Sequence, residues 1–130
     1  MIVLDACVLI AFLNSGDAHH ARARQLMAET AGHRRGASPM TIAEILVGPT
    51  RAGHLDVARD ALAQLKVGQV LLGPDAPQRL ARLRVDTGLK LPDCCVLLAA
   101  QDATAEAIAT LDDRLTKAAG LLGFALVPDR

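Results

Sequence analysis

Short segments that predict β-strands alternate along this chain with longer segments whose apolar residues recur at helical spacing. The predicted strands cover residues 2–4, 34–38, 70–72, 107–111 and 124–127. The predicted helices cover residues 7–13, 18–30, 40–47, 52–66, 76–87, 90–100 and 115–119. Elements that alternate in this way favour a mostly parallel sheet with helices on both faces. The length of 130 residues fits one domain, so we predict a single α/β domain over residues 1–130.

Turn residues and hydrophobicity refine two of these helices. Ser38 followed by Pro39 is typical of a helix start. Gly48 followed by Pro49 predicts the end of the same helix, because proline disrupts a helix interior. The segment 94–100 is apolar on every side, so we expect that helix to be buried.

A single acid, Asp5, stands between two apolar runs at the start of the chain. An ionised carboxylate in such a place costs several kcal/mol unless it is compensated. At the carboxyl end of the first strand it would face the crevice where open α/β sheets bind ligands, and a cation there would compensate its charge. The alternative is that Asp5 only caps the following helix.

Three other acids are placed in similar ways. Asp112 follows the strand 107–111, Asp93 stands at the start of the buried helix, and Glu44 has apolar neighbours on both sides. Carboxylates brought together without a cation would repel and raise one another's pKa. Ligands that are all oxygen suit Mg²⁺ or Mn²⁺, which can activate a water for attack on phosphorus.

Composition restricts the kinds of partner. The net charge is zero, which argues against a nucleic-acid partner unless several acids are neutralised by metal. In that case the remaining surface is positive, and its cations are 11 Arg and 3 Lys, with arginine better suited to phosphate contacts. Because Trp and Tyr are absent and only two Phe occur, a base-stacking surface is not expected.

The chain has no feature of a secreted or membrane protein. No apolar run approaches the length of a membrane span, and the amino terminus lacks the basic residues of a signal peptide. The three cysteines have no disulfide or zinc spacing, so we interpret them as small buried residues. We therefore expect a cytoplasmic protein.

The four acids lie in four short blocks of sequence, VLDACVLI at 3–10, SPMTIAE at 38–44, LPDCCVLLAA at 91–100 and TLD at 110–112. These blocks resemble those of the PIN-domain nucleases, and among them the VapC-type toxins of bacterial toxin–antitoxin pairs. They occur in the family's order and cover essentially the whole chain. One block alone would be weak evidence, whereas four in order are strong evidence.

The resemblance implies a five-stranded sheet and a metal-dependent endoribonuclease. It implies that Mg²⁺ or Mn²⁺ is bound, and catalysis performed, by Asp5, Glu44, Asp93 and Asp112. The side chains expected around these ligands are Thr41, Thr110, Asp113 and Arg114. It also implies an RNA substrate, a VapB-type antitoxin partner and a homodimer. The alternative is a catalytically inactive PIN fold that binds RNA or protein.

The sequence departs from the family pattern beside the first acid. Ala6 and Cys7 replace hydroxyl residues, so we expect any hydrogen bond from that loop to be missing or supplied by backbone. At the last block the T-x-D spacing selects Asp112, which leaves Asp113 as a helix cap or a neighbour of the site. Cys7 also occupies the second position of a D-x-D motif, which excludes a haloacid-dehalogenase-type phosphatase. A dinucleotide-binding glycine motif is absent.

Overall fold

The computed structural model describes residues 1–128 and contains five strands and seven helices in that range. The strands are β1 Ile2–Leu4, β2 Arg35–Ala37, β3 Val67–Gln69, β4 Ala107–Ala109 and β5 Ala125–Val127. The helices are α1 Ala6–Leu13, α2 His20–Glu29, α3 Pro39–Arg51, α4 Leu55–Gln64, α5 Ala76–Thr87, α6 Leu91–Asp102 and α7 Asp113–Leu121. None of these helices has the length and apolar character needed to cross a membrane.

The strands form one sheet in the order β3-β2-β1-β4-β5, and every pairing is parallel. Successive side chains of a strand point to opposite faces, and β1 shows this at the centre of the sheet. Val3 packs in an apolar cluster with side chains of α5, α6 and α7, whereas Ile2 and Leu4 pack with α1 to α4. The predicted parallel sheet with helices on both faces is confirmed.

Helix α6 is the buried helix that the sequence predicts. All seven residues from Cys94 to Ala100 are buried, because α6 packs against β1 and β4 on one side and against α3 and α5 on others. A helix that is enclosed in this way has no polar face, which explains its composition. Its first turn, which carries Asp93, lies at the end of this enclosed segment.

Parallel pairing brings the carboxyl ends of the strands to one edge of the sheet, which we call the carboxyl edge. Three helices begin directly or nearly directly after strands at this edge, namely α1, α3 and α7. Their first residues are preceded by capping side chains, those of Asp5, Ser38 and Asp112. Two of the predicted site acids are therefore also helix caps.

The predicted end of the third helix at Gly48 is wrong. Helix α3 continues through Gly48 and Pro49 to Arg51. Proline costs about 3 kcal/mol in a helix interior, but α3 packs against α1, α4 and α6, and those contacts maintain it. Tertiary packing has here outweighed a local helix-breaking signal.

The predicted third strand is also misplaced, since β3 covers Val67–Gln69 rather than residues 70–72. It is an edge strand that pairs only with β2, so it does not need a continuous apolar sequence. Val70 continues the pairing by one hydrogen bond and is buried, but Leu71 is exposed. The apolar run therefore marks where the chain leaves the sheet.

Candidate active site

Asp5 lies at the end of β1, in the middle of the carboxyl edge, and only 7% of its surface is exposed. Its Oδ1 accepts a hydrogen bond from the backbone N–H of Ala6 at 2.8 Å, so it caps α1. Its Oδ2 accepts from the Thr110 hydroxyl at 2.8 Å and from the Cys7 thiol at 3.1 Å. Asp5 thus caps α1, as the alternative interpretation expected, but capping is not its only effect, because its charge also acts on Glu44 and Asp93.

Asp112 follows β4 after two intervening residues, because β4 is shorter than predicted. Its Oδ1 accepts hydrogen bonds from the backbone N–H groups of Arg114 at 2.8 Å and Leu115 at 3.1 Å. The interpretation of Asp113 as the helix cap is thus wrong, since Asp112 caps α7. Asp113 is the first residue of that helix and is exposed. The backbone N–H of Asp112 itself donates to the Thr110 hydroxyl at 3.0 Å.

Asp93 lies in the first turn of α6 and is partly buried. Burial, together with the nearby charges of Asp5 and Asp112, raises the pKa of this carboxyl above its ordinary value. The positive charges of Lys90 and Arg114 act in the opposite direction but do not cancel the shift. Asp93 is therefore close enough to both Asp5 and Asp112 for like charges to repel.

Glu44 projects from α3 and is exposed, near Asp5 and Asp93. Partial burial and the charges of Asp5 and Asp93 raise its pKa. Glu44 also lines a pocket of about 260 Å³ between α1 and α3, whose other walls are mainly apolar. The Glu44 side chain thus lies between the other acids and an apolar groove.

These four carboxylates influence one another but do not form a finished set of metal ligands. Among residues 1–128, no three acidic, histidine or cysteine side chains are arranged closely enough to hold a metal ion. The donor set nevertheless fits Mg²⁺ or Mn²⁺ in its chemistry, because every predicted ligand is a carboxylate.

The residues predicted around the acids have different surroundings. Thr110 is buried and contacts both Asp5 and the backbone of Asp112, as described above. Arg114 lies near enough to Asp93 to affect its pKa. Thr41 is buried, but its hydroxyl accepts from Ser38 at 3.1 Å in the cap of α3, and this hydrogen bond does not reach the acids.

A comparison with known protein families identifies the domain. A model of the PIN domain matches residues 2–121. The chain belongs to the PIN domain family. No curated protein is matched by the sequence.

Solved structures share this PIN fold. A toxin–antitoxin complex from Klebsiella pneumoniae has a TM-score of 0.70 and 27% identity, covering 86% of this chain and 87% of that chain. VapC20 from Mycobacterium tuberculosis, described as a toxin that cleaves the sarcin–ricin loop, has a TM-score of 0.70 and 19% identity, covering 96% and 97%. FitAcB from Neisseria gonorrhoeae has a TM-score of 0.69 and 18% identity, covering 97% and 96%. At such low identities the latter two support the fold alone.

Sequence reasoning missed the role of Cys7, and the expectation that its loop would offer no side-chain hydrogen bond is wrong. Its thiol donates to Asp5, and its sulfur accepts from the backbone N–H of Leu111 at 3.4 Å. Burial and the charge of Asp5 raise the pKa of Cys7 to about 12, so the thiol keeps its proton. Cys94 and Cys95 are buried as expected. The available signal was the position of Cys7, which follows the first acid where the family has a hydroxyl.

Proposed function

We propose that this PIN domain is a Mg²⁺- or Mn²⁺-dependent endoribonuclease that hydrolyses RNA phosphodiester bonds. Asp5, Glu44, Asp93 and Asp112 would hold the metal and carry the reaction. The proposal rests on the family match and on the chemistry of the carboxyl edge, and not on composition.

The observation that carries the proposal is a buried carboxylate, that of Asp5, whose charge acts on two further acids. Asp5 is almost fully buried, and its charge adds to the effect of burial in raising the pKa of both Glu44 and Asp93. Within residues 1–128 no cationic side chain forms an ion pair with any of the four acids. Such an arrangement destabilises the protein alone and becomes favourable when a cation binds.

In this reaction the acids would bind the metal, and neighbouring cationic side chains would bind the substrate. Asp5 is oriented by its three hydrogen bonds, and Asp112 is oriented by the first turn of α7, so their free lone pairs have fixed directions. When bound, a divalent ion supplies the positive charge that lowers the pKa of a water and stabilises the leaving oxygen. Arg114 and Lys90 lie beside the acids and can bind the RNA phosphates.

A toxin role with an antitoxin partner is part of the proposal. The similar structure from Klebsiella pneumoniae is a toxin–antitoxin complex, and the resemblance implies a homodimer and a VapB-type antitoxin. Bidentate pairing of an arginine with carboxylates is a strong interaction, so we expect the C-terminal segment of an antitoxin to lie near Asp5, Asp93 and Asp112 and block the site. We place the protein in the cytoplasm, where such pairs act on cellular RNA.

The test is RNA cleavage by the purified protein with each metal. We expect cleavage with Mg²⁺ or Mn²⁺, none in excess EDTA, and an unchanged fold by circular dichroism in both conditions. Asp93→Asn should lower the cleavage rate about 100-fold or more, since outer contacts alone typically contribute 10- to 100-fold at metal sites. Asp56→Asn is the matched control, because Asp56 is an exposed acid on α4, away from the carboxyl edge.

Two results would contradict the proposal. Full activity in excess EDTA would exclude metal-dependent hydrolysis, and normal cleavage by Asp93→Asn would exclude this site. Binding of RNA without cleavage under any metal condition would instead favour the alternative, a catalytically inactive PIN fold that binds RNA or protein.

A further inference from the structure

We infer that Cys7 is a positioning residue that holds the Asp5 carboxylate and the loop carrying Asp112 in fixed relation to each other. The inference rests on the proposed function, since it assigns a role within the same metal site. It concerns a side chain that the family pattern would not select, because a hydroxyl or amide is expected at this position.

The first step is the set of contacts that Cys7 makes. Its sulfur lies 3.1 Å from Asp5 Oδ2 and donates to it, and it lies 3.7 Å from the Thr110 hydroxyl. The same sulfur accepts from the backbone N–H of Leu111 at 3.4 Å. One thiol therefore connects the end of β1 to the chain that follows β4.

The second step is what this connection holds in place. Leu111 immediately precedes Asp112, so the hydrogen bond to Cys7 restrains the backbone that carries that acid. Thr110 makes a parallel connection, because its hydroxyl donates to Asp5 and accepts from the N–H of Asp112. Cys7 and Thr110 thus form two bridges between the same pair of acids.

The third step concerns why these bridges affect metal binding. Asp5 Oδ2 receives both side-chain hydrogen bonds, so its orientation depends on Cys7 and Thr110 together. Hydrogen bonds to ligating carboxylates orient them, and removing one typically lowers metal affinity or activity by about 10- to 100-fold. The thiol is a weaker donor than a hydroxyl, but it can still donate and accept at these distances.

The experiment compares Cys7→Ala, Cys7→Ser and the wild-type protein. We expect Cys7→Ala to bind Mn²⁺ about 10-fold more weakly or worse, and to cleave RNA correspondingly more slowly. Cys7→Ser retains a donor and an acceptor, so its affinity should stay near that of wild type. Cys94→Ala is the matched control, since it removes a buried thiol whose sulfur contacts the Leu89 carbonyl in the core.

A second readout needs no metal. Hydrogen exchange at the backbone amide of Leu111 should be about 2- to 10-fold faster in metal-free Cys7→Ala, because one hydrogen bond is lost there. The amide should remain protected in Cys7→Ser. This measurement reports the bridge itself, apart from any catalytic activity.

The outcomes separate the inference from the proposed function. Wild-type Mn²⁺ affinity in Cys7→Ala would overturn the positioning role and leave the proposed function intact. Loss of affinity in Cys7→Ser equal to that in Cys7→Ala, or failure of Cys7→Ala to fold, would also overturn it, because packing would then explain the effect. A wild-type protein that neither binds Mn²⁺ nor cleaves RNA would overturn the proposed function first.

Discussion

Acidic side chains have opposite pKa shifts at the two edges of the sheet. At the amino edge, where the strands begin, the terminal amine of Met1 donates to Glu106 at 2.8 Å, and the His33 ring lies 3.2 Å from the same carboxylate. These contacts, first the hydrogen bond and then the charge of the amine, lower the pKa of Glu106. At the carboxyl edge the pKa values of Glu44 and Asp93 are raised.

Arg35, also at the amino edge, has its hydrogen-bond donors paired with groups of the fold. Its guanidinium donates to the Thr30 hydroxyl at 3.0 Å, to the carbonyl of Leu65 at 3.0 Å, and to the carbonyl of Met27. Those carbonyls belong to the ends of α2 and α4, where unpaired acceptors attract cations. The charge of Arg35 therefore supports the fold.

This difference between the edges indicates which one has a structural role and which one has a functional role. A fold gains nothing from leaving neighbouring acids unneutralised, because their repulsion destabilises the folded state. At the amino edge Glu106 is paired with the terminal amine and with His33, whereas the carboxyl edge leaves four acids without an ion pair in the described part of the chain. The carboxyl edge is therefore where we expect a ligand to supply the missing charge.

The largest expected effect is loss of activity in Asp5→Asn. The change removes the charge that faces both Glu44 and Asp93, so RNA cleavage should fall about 100-fold or more. Cleavage rates with saturating Mn²⁺ measure this effect. The comparison between the edges would fail if Glu106→Gln, at the amino edge, reduced cleavage as much as Asp5→Asn does.

The next largest effects are expected for Asp112, whose two roles, in cleavage and in capping α7, can be tested separately. Asp112→Ala removes both the charge and the α7 cap, and it should lose cleavage together with about 1 kcal/mol of stability. Asp112→Asn keeps a capping oxygen, so it should lose cleavage but little stability. Urea unfolding of the metal-free variants, beside cleavage assays, distinguishes them. Equal stabilities for the two variants would show that Asp112 does not stabilise the protein by capping α7.

A smaller effect concerns the pH dependence of stability without metal. The raised pKa values of Glu44 and Asp93 mean that the folded state binds protons more readily than the unfolded state does. Their contribution to the free energy of unfolding therefore falls as pH rises through the interval between the unfolded and folded pKa values. Melting midpoints between about pH 4 and pH 7 should show it.

Substitution provides the control for that pH effect. Asp93→Asn should raise the metal-free melting midpoint at neutral pH and flatten its dependence on pH, because the repulsion is relieved. Glu44→Gln should act in the same direction. If both variants instead lower the midpoint at neutral pH, the acids are compensated by contacts that support the fold.

The smallest effect is expected at the amino edge. Glu106 has a lowered pKa, so its contribution is present at neutral pH and is lost as pH falls through the folded pKa. Glu106 is exposed, and exposed ion pairs contribute little. Glu106→Gln should therefore leave cleavage unchanged and lower the melting midpoint only slightly at neutral pH. A large stability loss would show that this pairing is more than a surface contact.

The sequence predicts those parts of the molecule that depend on local pattern. The central strand at 2–4, the buried helix at 94–100 and the placement of acids beside strand ends all follow from short-range hydrophobicity. The extended α3 and the edge strand β3 do not, because Pro49 is tolerated through packing and β3 pairs on one side only. Those features depend on neighbours that are distant in the sequence.

The candidate site remains a prediction of the resemblance, which selects four acids. The structure places Asp93 close enough to Asp5, Glu44 and Asp112 for their charges to interact. The sequence could not reveal that Asp112 rather than Asp113 caps α7, since both follow the strand. Nor could it reveal that the Cys7 thiol contacts Asp5, because a cysteine among apolar residues predicts packing.

The central claim is that the carboxyl edge is built for a divalent cation, and calorimetric titration with Mn²⁺ tests it most directly. We predict that the wild-type protein and Glu106→Gln bind Mn²⁺ alike and that Asp5→Asn binds it about 100-fold more weakly or not at all. Binding of equal strength in Asp5→Asn, or the absence of Mn²⁺ binding by the wild-type protein, would contradict the claim.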